Sequence, residues 1–169
     1  NPTLKVIDIK RIVDICGDKV KVVVDNTFAT PILQRPLEFG ADIVIHSMTK
    51  YLGGHGDTIG GIVVGRSDYI EDLKENTAID VGACLSPFNG WLVLRGIKTL
   101  FLRIIHHSEN GMKVAKFLND HPRVERVMYP GLESTPVMRS LRTRCSSTVE
   151  WLRSRFLVVA RRERDCSIT

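Results

Sequence analysis

VVVDNTFATPILQRPLEFGADIVIHSMTKYLGGHGDTIGG, residues 22–61, is the stretch that decides the fold. Lys-Val-Val-Val-Asp at 21–25 is a short β-branched run ending in a carboxylate. Ile-Val-Ile-His at 43–46 is a second run, and Ile-Val-Val at 62–64, between Gly60-Gly61 and Gly65, is a third. Continuous apolar runs of this length suit strands covered on both faces, as in a parallel sheet. Upstream, Leu4, Ile7, Ile9, Ile12, Val13 and Cys16 predict an amphipathic helix over 4–16 that Gly17 stops. Downstream, 67–75 reads as a polar helix opening on Ser67. A long helix is predicted from Ser86-Pro87, since Ser caps well and Pro loses nothing at the first helical position. Trp91, Leu94, Lys98, Phe101 and Ile105 track one side of it. A further helix is predicted over 107–119 and a strand over 124–128. Strands alternating with helices in this way indicate an α/β sheet with crossover helices.

Composition narrows the classes. The 169 residues suffice for one domain with a real core. No apolar run approaches the roughly 18 residues of a membrane span, and no signal peptide is visible. Cys16, Cys84, Cys145 and Cys166 are widely spaced, with no C-x-x-C. That argues against a zinc ribbon or disulfide scaffold and for reduced, cytosolic thiols. The net charge of +5 is uneven. Residues 1–130 hold 16 basic and 15 acidic side chains, whereas 131–169 hold 8 and 4, all eight bases being Arg. After Gly131 there is no Gly and no Lys, which marks a compositional boundary near Tyr129-Pro130-Gly131.

In open α/β sheets functional groups gather at the carboxyl ends of strands. Asp25-Asn26-Thr27 follows the first run. A carboxylate there can bind a cation or a protonated ring nitrogen, or simply cap a turn. Ser47-Met48-Thr49-Lys50 follows the second run. Its hydroxyls suit phosphate oxygens, and a lysine in a poorly solvated pocket can attack a carbonyl as a free amine. The same tetrapeptide also fits an exposed surface loop. Gly53-Gly54, Gly56 and Gly60-Gly61 allow close backbone approach to a ligand, but they match neither a P-loop nor a dinucleotide fingerprint. Together the three places hold an acid, an amine and phosphate donors, the functions that pyridoxal phosphate needs.

Residues 22–61 resemble the Cys/Met-metabolism (trans-sulfuration) family of pyridoxal-phosphate enzymes. The signature is D-N-T-F followed by S-x-T-K-Y-x-x-G-H, supported by Asn1-Pro2-Thr3, LSPFNGWLVLRGIKTL at 85–100, HSENGMKVAKFL at 107–118 and VERVMYPGL at 124–132. The resemblance reads as covering about 1–136. It implies part of the large domain of the aspartate-aminotransferase-like fold (fold type I), a mostly parallel sheet with flanking helices. Residues 1–119 would belong to that domain, 120–136 would begin the C-terminal domain, and 137–169 would be a divergent basic tail.

The resemblance also implies roles. Lys50 would form the Schiff base with pyridoxal 5'-phosphate and act as general base. Asp25 would keep the pyridine nitrogen protonated. Ser47 and Thr49 would contact the phosphate, Asn1 the neighbourhood of the phenolic oxygen, and Thr27 the ring. Arg95 and Lys98 read as structural, and Tyr51 and His55 receive no chemical role. The implied reaction is γ-elimination or γ-replacement on a small sulfur amino acid, of the cystathionine γ-lyase or γ-synthase type. Methionine γ-lyase, cystathionine β-lyase and O-acylhomoserine sulfhydrylase chemistry are the alternatives.

Family members are considerably longer. The preceding portion would carry a phosphate loop, a ring-stacking aromatic, and the Tyr and Arg that reach a neighbouring subunit. The C-terminal domain would carry the arginine for the substrate carboxylate. This stretch alone is therefore expected to be inactive, and its parent to be a cytoplasmic homotetramer needing no metal, membrane or nucleic acid. Two other readings stand beside it. One is a non-enzymatic interaction protein using a basic helix, with a capping box at Ser147–Glu150 and Val149, Leu152, Phe156 and Val159 on one face. The other is a frame change near residue 136.

Overall fold

The computed structural model describes residues 6–132 and, for the backbone alone, Val159–Arg162. It divides into two compact units, Asp8–Ile104 and a second comprising Asn1–Ile7 and Ile105–Thr169.

The first unit is an α/β unit built on a sheet ordered β1-β2-β3, with β1 at Val23–Asp25, β2 at Ile43–Ser47 and β3 at Gly61–Gly65. The strands fall on the three β-branched runs. β1 and β2 are parallel, with Val23 opposite Ile43 and Asp25 opposite Ile45. β3 is antiparallel to β2, with Ile43 opposite Gly65 and Ser47 opposite Gly61. The connections account for the two directions. β1 reaches β2 through the short helix α2 (Thr30–Leu33) and a 3-10 turn at Pro36–Phe39, a crossover that returns the chain in the same sense. β2 reaches β3 through a π-helical turn at Met48–Leu52 and a glycine-containing loop, so the chain doubles back.

Ile43, Val44 and His46 on the central strand are buried. The flanking strands are more open: Val23 is 50% exposed, and Ile62, Val63 and Val64 are exposed as well. Among the described residues β1 and β3 are thus covered less completely than the central strand. An apolar run records what a strand can bury, not which element buries it.

The turn after β1 is held by an amide pair. Asn26 is 2% exposed. Its Nδ2 donates to Thr30 O at 3.2 Å and to Gln34 O at 2.7 Å, and its Oδ1 accepts from Gln34 Nε2 at 2.9 Å. Thr30, fully buried, takes a φ of 59°. A β-branched residue in this left-handed region costs about 1–3 kcal/mol and persists only where its surroundings enforce it. Here Ile32 N–H donates to its hydroxyl at 3.3 Å and the Asn26 amide holds its carbonyl.

Helix α1 is Ile9–Cys16, shorter than the predicted 4–16. Asp8 is its N-cap, accepting Arg11 N–H at 3.0 Å, so residues 6–8 precede the helix. Gly17 ends it at φ 51°. Helix α3 (Ser67–Asp72) opens at Ser67 and runs on through a π-helical segment (Leu73–Ala78) into α4 (Ile79–Val81), beyond the predicted end at 75. Helix α5 (Pro87–Ile97) starts as read, Ser86 Oγ accepting Asn89 N–H at 3.2 Å.

The predicted break near residue 106 is instead at Lys98–Thr99, and α6 runs Leu100–Asn119. At this corner the Gly96 carbonyl accepts both Thr99 N–H and Thr99 Oγ1–H, each at 3.3 Å, which turns the chain out of the α ladder. The buried face also differs. Leu92, Val93, Gly96, Leu100 and Ile104 are buried, while Trp91, Leu94 and Phe101 are 53–67% exposed.

In the second unit β4 (Val124–Met128) pairs antiparallel with β5 (Val159–Arg162). Ala115, Val127, Tyr129 and Leu132 form its core, with Met112, Leu118 and Val124 packed against them. Burial pushes the Tyr129 phenol up to about 12. Val159, expected on a helix face, is in a strand because its backbone pairs opposite Met128. Ser147–Glu150, Val149, Leu152, Phe156, Cys145 and Cys166 lie outside the described residues. No helix among the described residues is long and apolar enough to cross a membrane, and among them no group of three His, Cys, Asp or Glu could hold a metal ion.

Candidate active site

Because β1 and β2 are parallel, their carboxyl ends share one edge of the sheet, where ligands of open α/β sheets bind. Asp25 closes β1 and Ser47 closes β2. Three hydrogen bonds fasten these ends. Asn26 N–H donates to Ile45 O at 2.8 Å, Ser47 N–H to Thr27 Oγ1 at 2.7 Å, and Thr27 N–H to Asp25 Oδ1 at 3.0 Å. Thr49 Oγ1 accepts Gly60 N–H at 3.3 Å, and Met48 N–H donates to Gly60 O at 2.8 Å, which brings in the start of β3. Asp25, Thr27, Ser47, Thr49 and Lys50 are thus gathered at one strand edge. Asn1, the remaining candidate, lies outside the described residues.

Lys50 sits inside the π-helical turn with non-helical angles, φ −95° and ψ −125°. Around it Gly53 N–H donates to Met48 O at 2.9 Å and Gly54 N–H to Lys50 O at 2.7 Å. Lys50 and Asp25 are exposed, Ser47 and Thr49 half-buried, and Thr27 buried. The poorly solvated lysine pocket considered from sequence is not enclosed by the described residues. The turn places the side chain outward, beyond the buried Met48 and Leu52.

Gly53, like Gly96 on α5, is required by the protein's own packing, whereas Gly56 has nothing within 4 Å of the place a Cβ would take. A Cβ on Gly53 would lie 2.6 Å from Thr58 Cγ2, and one on Gly96 would lie 2.8 Å from Leu52 O and closer still to Gly53 O. Helix α5 therefore rests directly on the backbone that follows Lys50. Arg103 reaches the same place: Nη1 donates to Tyr51 O at 3.0 Å, Nη2 to Gly96 O at 2.8 Å and Nε to Thr99 Oγ1 at 3.1 Å. Burial lowers its proton affinity. Next to Ser47, His46 is 5% exposed, with Nδ1 unpartnered. Burial pulls its pKa down, opposed by the Asp25 charge and by the Asn26 backbone. Arg103, Gln34 and Gly96 were not singled out from sequence for this site. The i,i+4 spacing of Thr99 and Arg103 was the one available signal, and it does not point to Lys50.

The donor set fits pyridoxal phosphate. A carboxylate ends one strand, while two hydroxyls and a primary amine follow its parallel neighbour. The amine has no hydrogen-bond or ion-pair partner among the described residues. The fold and site define an α/β unit that offers acid, hydroxyls and amine to one ligand from adjacent strand ends.

The chain belongs to the Cys/Met metabolism PLP-dependent enzyme family, whose model matches residues 1–152. It is 52% identical over 139 residues to an L-methionine gamma-lyase of Porphyromonas gingivalis, covering 80% of this chain and 35% of that protein. It is 51% identical over 138 residues to a cystathionine beta-lyase of Coxiella burnetii, covering 80% and 36%. A crystal structure of cystathionine gamma-lyase from Lactobacillus plantarum complexed with L-serine superposes with a TM-score of 0.79 at 37% identity, covering 86% of this chain and 39% of that one. The chain thus spans little more than a third of the length of these proteins. The family model's match reaches residue 152, while the alignments to these two relatives each cover 80% of the chain, in keeping with a resemblance over about 1–136.

Proposed function

We propose that the protein carrying this chain is a pyridoxal-phosphate enzyme that eliminates or replaces the γ-substituent of a small sulfur amino acid, as cystathionine γ-lyases and γ-synthases do. The observation that supports it best is the parallel register of β1 and β2, which sets Asp25 and the Ser47–Lys50 segment on one sheet edge. When bound, pyridoxal phosphate supplies an aldehyde for an amine and a protonated ring that withdraws electrons from the substrate Cα.

The chain's own residues do the rest. Lys50 Nζ is the covalent attachment point. As a free amine the same Nζ would accept the Cα proton and could give it back, so one amine would be both nucleophile and base. Asp25 holds the proton on the ring nitrogen. Its Oδ1 already accepts Thr27 N–H at 3.0 Å, which limits the carboxylate's rotation. Ser47 and Thr49 donate to the phosphate. Thr27, whose hydroxyl accepts Ser47 N–H, would face the ring. Asn1 would serve the phenolic oxygen.

Methionine γ-lyase, cystathionine β-lyase and O-acylhomoserine sulfhydrylase activities are the alternatives, since the lysine segment is common to all of them. The protein acts in the cytoplasm as a homotetramer of two dimers. Residues 1–119 belong to the cofactor domain, 120–136 open the next one, and 137–169 form a divergent basic tail.

Borohydride reduction of the full-length protein followed by peptide mapping tests the assignment. The label is expected on Lys50 and is expected to vanish in Lys50→Ala. Label on another lysine, or none in a cofactor-loaded protein, refutes it.

A further inference from the structure

The turn that carries Lys50 is gripped from outside by Arg103, 52 positions from Tyr51. Arg103, in the first turn of α6, spreads its guanidinium across the corner between α5 and α6. It donates to the Tyr51 carbonyl at 3.0 Å, the Gly96 carbonyl at 2.8 Å and the Thr99 hydroxyl at 3.1 Å. Gly54, at φ 78°, leaves room for it, because a Cβ there would fall 2.5 Å from Arg103 Cζ. A guanidinium is flat and its donors are fixed in a fork, so three acceptors from three segments define one position for it.

The location of the first contact carries the inference. The Met48 and Lys50 carbonyls are held within the turn by Gly53 and Gly54 N–H groups. The Tyr51 carbonyl, on the residue directly after Lys50, is held by Arg103. Any shift of that carbonyl tilts the backbone from which the Lys50 side chain springs. Reactive groups tolerate little of this, since a displacement of about 1 Å costs on the order of 100-fold in rate.

We propose that Arg103 is a positioning residue for Lys50: by holding the Tyr51 carbonyl to the α5–α6 corner, it aims Lys50 Nζ at the cofactor and the substrate Cα. This rests on the reading of Lys50 as the cofactor-bearing lysine.

The test compares Arg103→Met and Arg103→Lys with wild type in the full-length holoenzyme. The readouts are cofactor content, kcat and KM separately, and the pH titration of the cofactor's visible absorption. Arg103→Met is expected to keep its cofactor and to lose about 10- to 100-fold in kcat, with KM within roughly threefold. Its spectral titration should move, and Arg103→Lys should recover part of kcat. A folded, loaded Arg103→Met with wild-type kcat and titration overturns the proposal, as does a loss confined to KM. Should Arg103→Met fail to accumulate, Arg103→Lys carries the same comparison: it keeps the charge but not the fork, and wild-type behaviour in it overturns the proposal. Borohydride mapping of the wild type keeps the two claims apart. Label on Lys50 with indifferent variants sinks the positioning role alone, whereas label elsewhere removes the reading beneath it.

Discussion

Replacing Asn26 with Ala should destabilise the protein far more than its small side chain suggests. The amide is 2% exposed and makes three hydrogen bonds, to Thr30 O, Gln34 O and Gln34 Nε2. At about 1 kcal/mol net for each, the loss is about 3 kcal/mol. That is a large share of the 5–15 kcal/mol or so that separates folded from unfolded states. Thr30 O keeps a second donor, the Gln34 N–H at 3.1 Å, so the estimate needs no further penalty there. Gln34→Ala removes only the Nε2–Oδ1 contact of the three and should cost about 1 kcal/mol. The double variant should fall short of the summed costs by about 1 kcal/mol, because one bond is counted in both single changes. Urea unfolding followed by circular dichroism on the full protein measures all three. An Asn26→Ala cost below about 1 kcal/mol, or strict additivity in the cycle, would refute the reasoning, since either means the amide pair is not formed.

Two other expectations concern the scaffold. Gly96→Ala drives a methyl into Leu52 O and Gly53 O and should cost about 1–3 kcal/mol by urea unfolding; an unchanged value would mean that α5 moves freely off the Lys50 turn. His46 is held neutral by burial, its folded pKa lying below the ordinary 6.5. As pH falls through 6.5 the unfolded chain takes up a proton that the folded chain resists, so stability declines with acidification. His46→Gln should flatten that decline between pH 7.5 and 5.5, and an unchanged slope would refute the assignment to His46.

Sequence alone showed what is local. The strand-end carboxylate and the Ser47–Lys50 segment were legible because each sits within a few residues of a β-branched run. The start of α5 was legible because Ser86 and Pro87 act on the next turn of backbone. The buried face of α5 and α6 was not. Trp91, Leu94 and Phe101 compete with Leu92, Val93, Leu100 and Ile104, and a helix that is apolar nearly all round has no preferred side in its pattern. The antiparallel return of β3 was hidden because three apolar residues read alike in either direction. Arg103 was invisible for a different reason: its partners come from residues 51, 96 and 99, and no spacing within the lysine motif refers to it.

That separation along the chain has a kinetic side. Everything from Asp25 to Gly60 can assemble from one contiguous stretch, whereas the bond from Arg103 to Tyr51 closes a far longer loop. At synthesis rates of about 5–20 residues per second, the lysine turn leaves the ribosome roughly 3–10 seconds before the arginine that fixes it. The nascent protein therefore passes through an interval in which Lys50 stands on a turn that Arg103 does not yet hold. The turn is thus made before the side chain that holds its Tyr51 carbonyl.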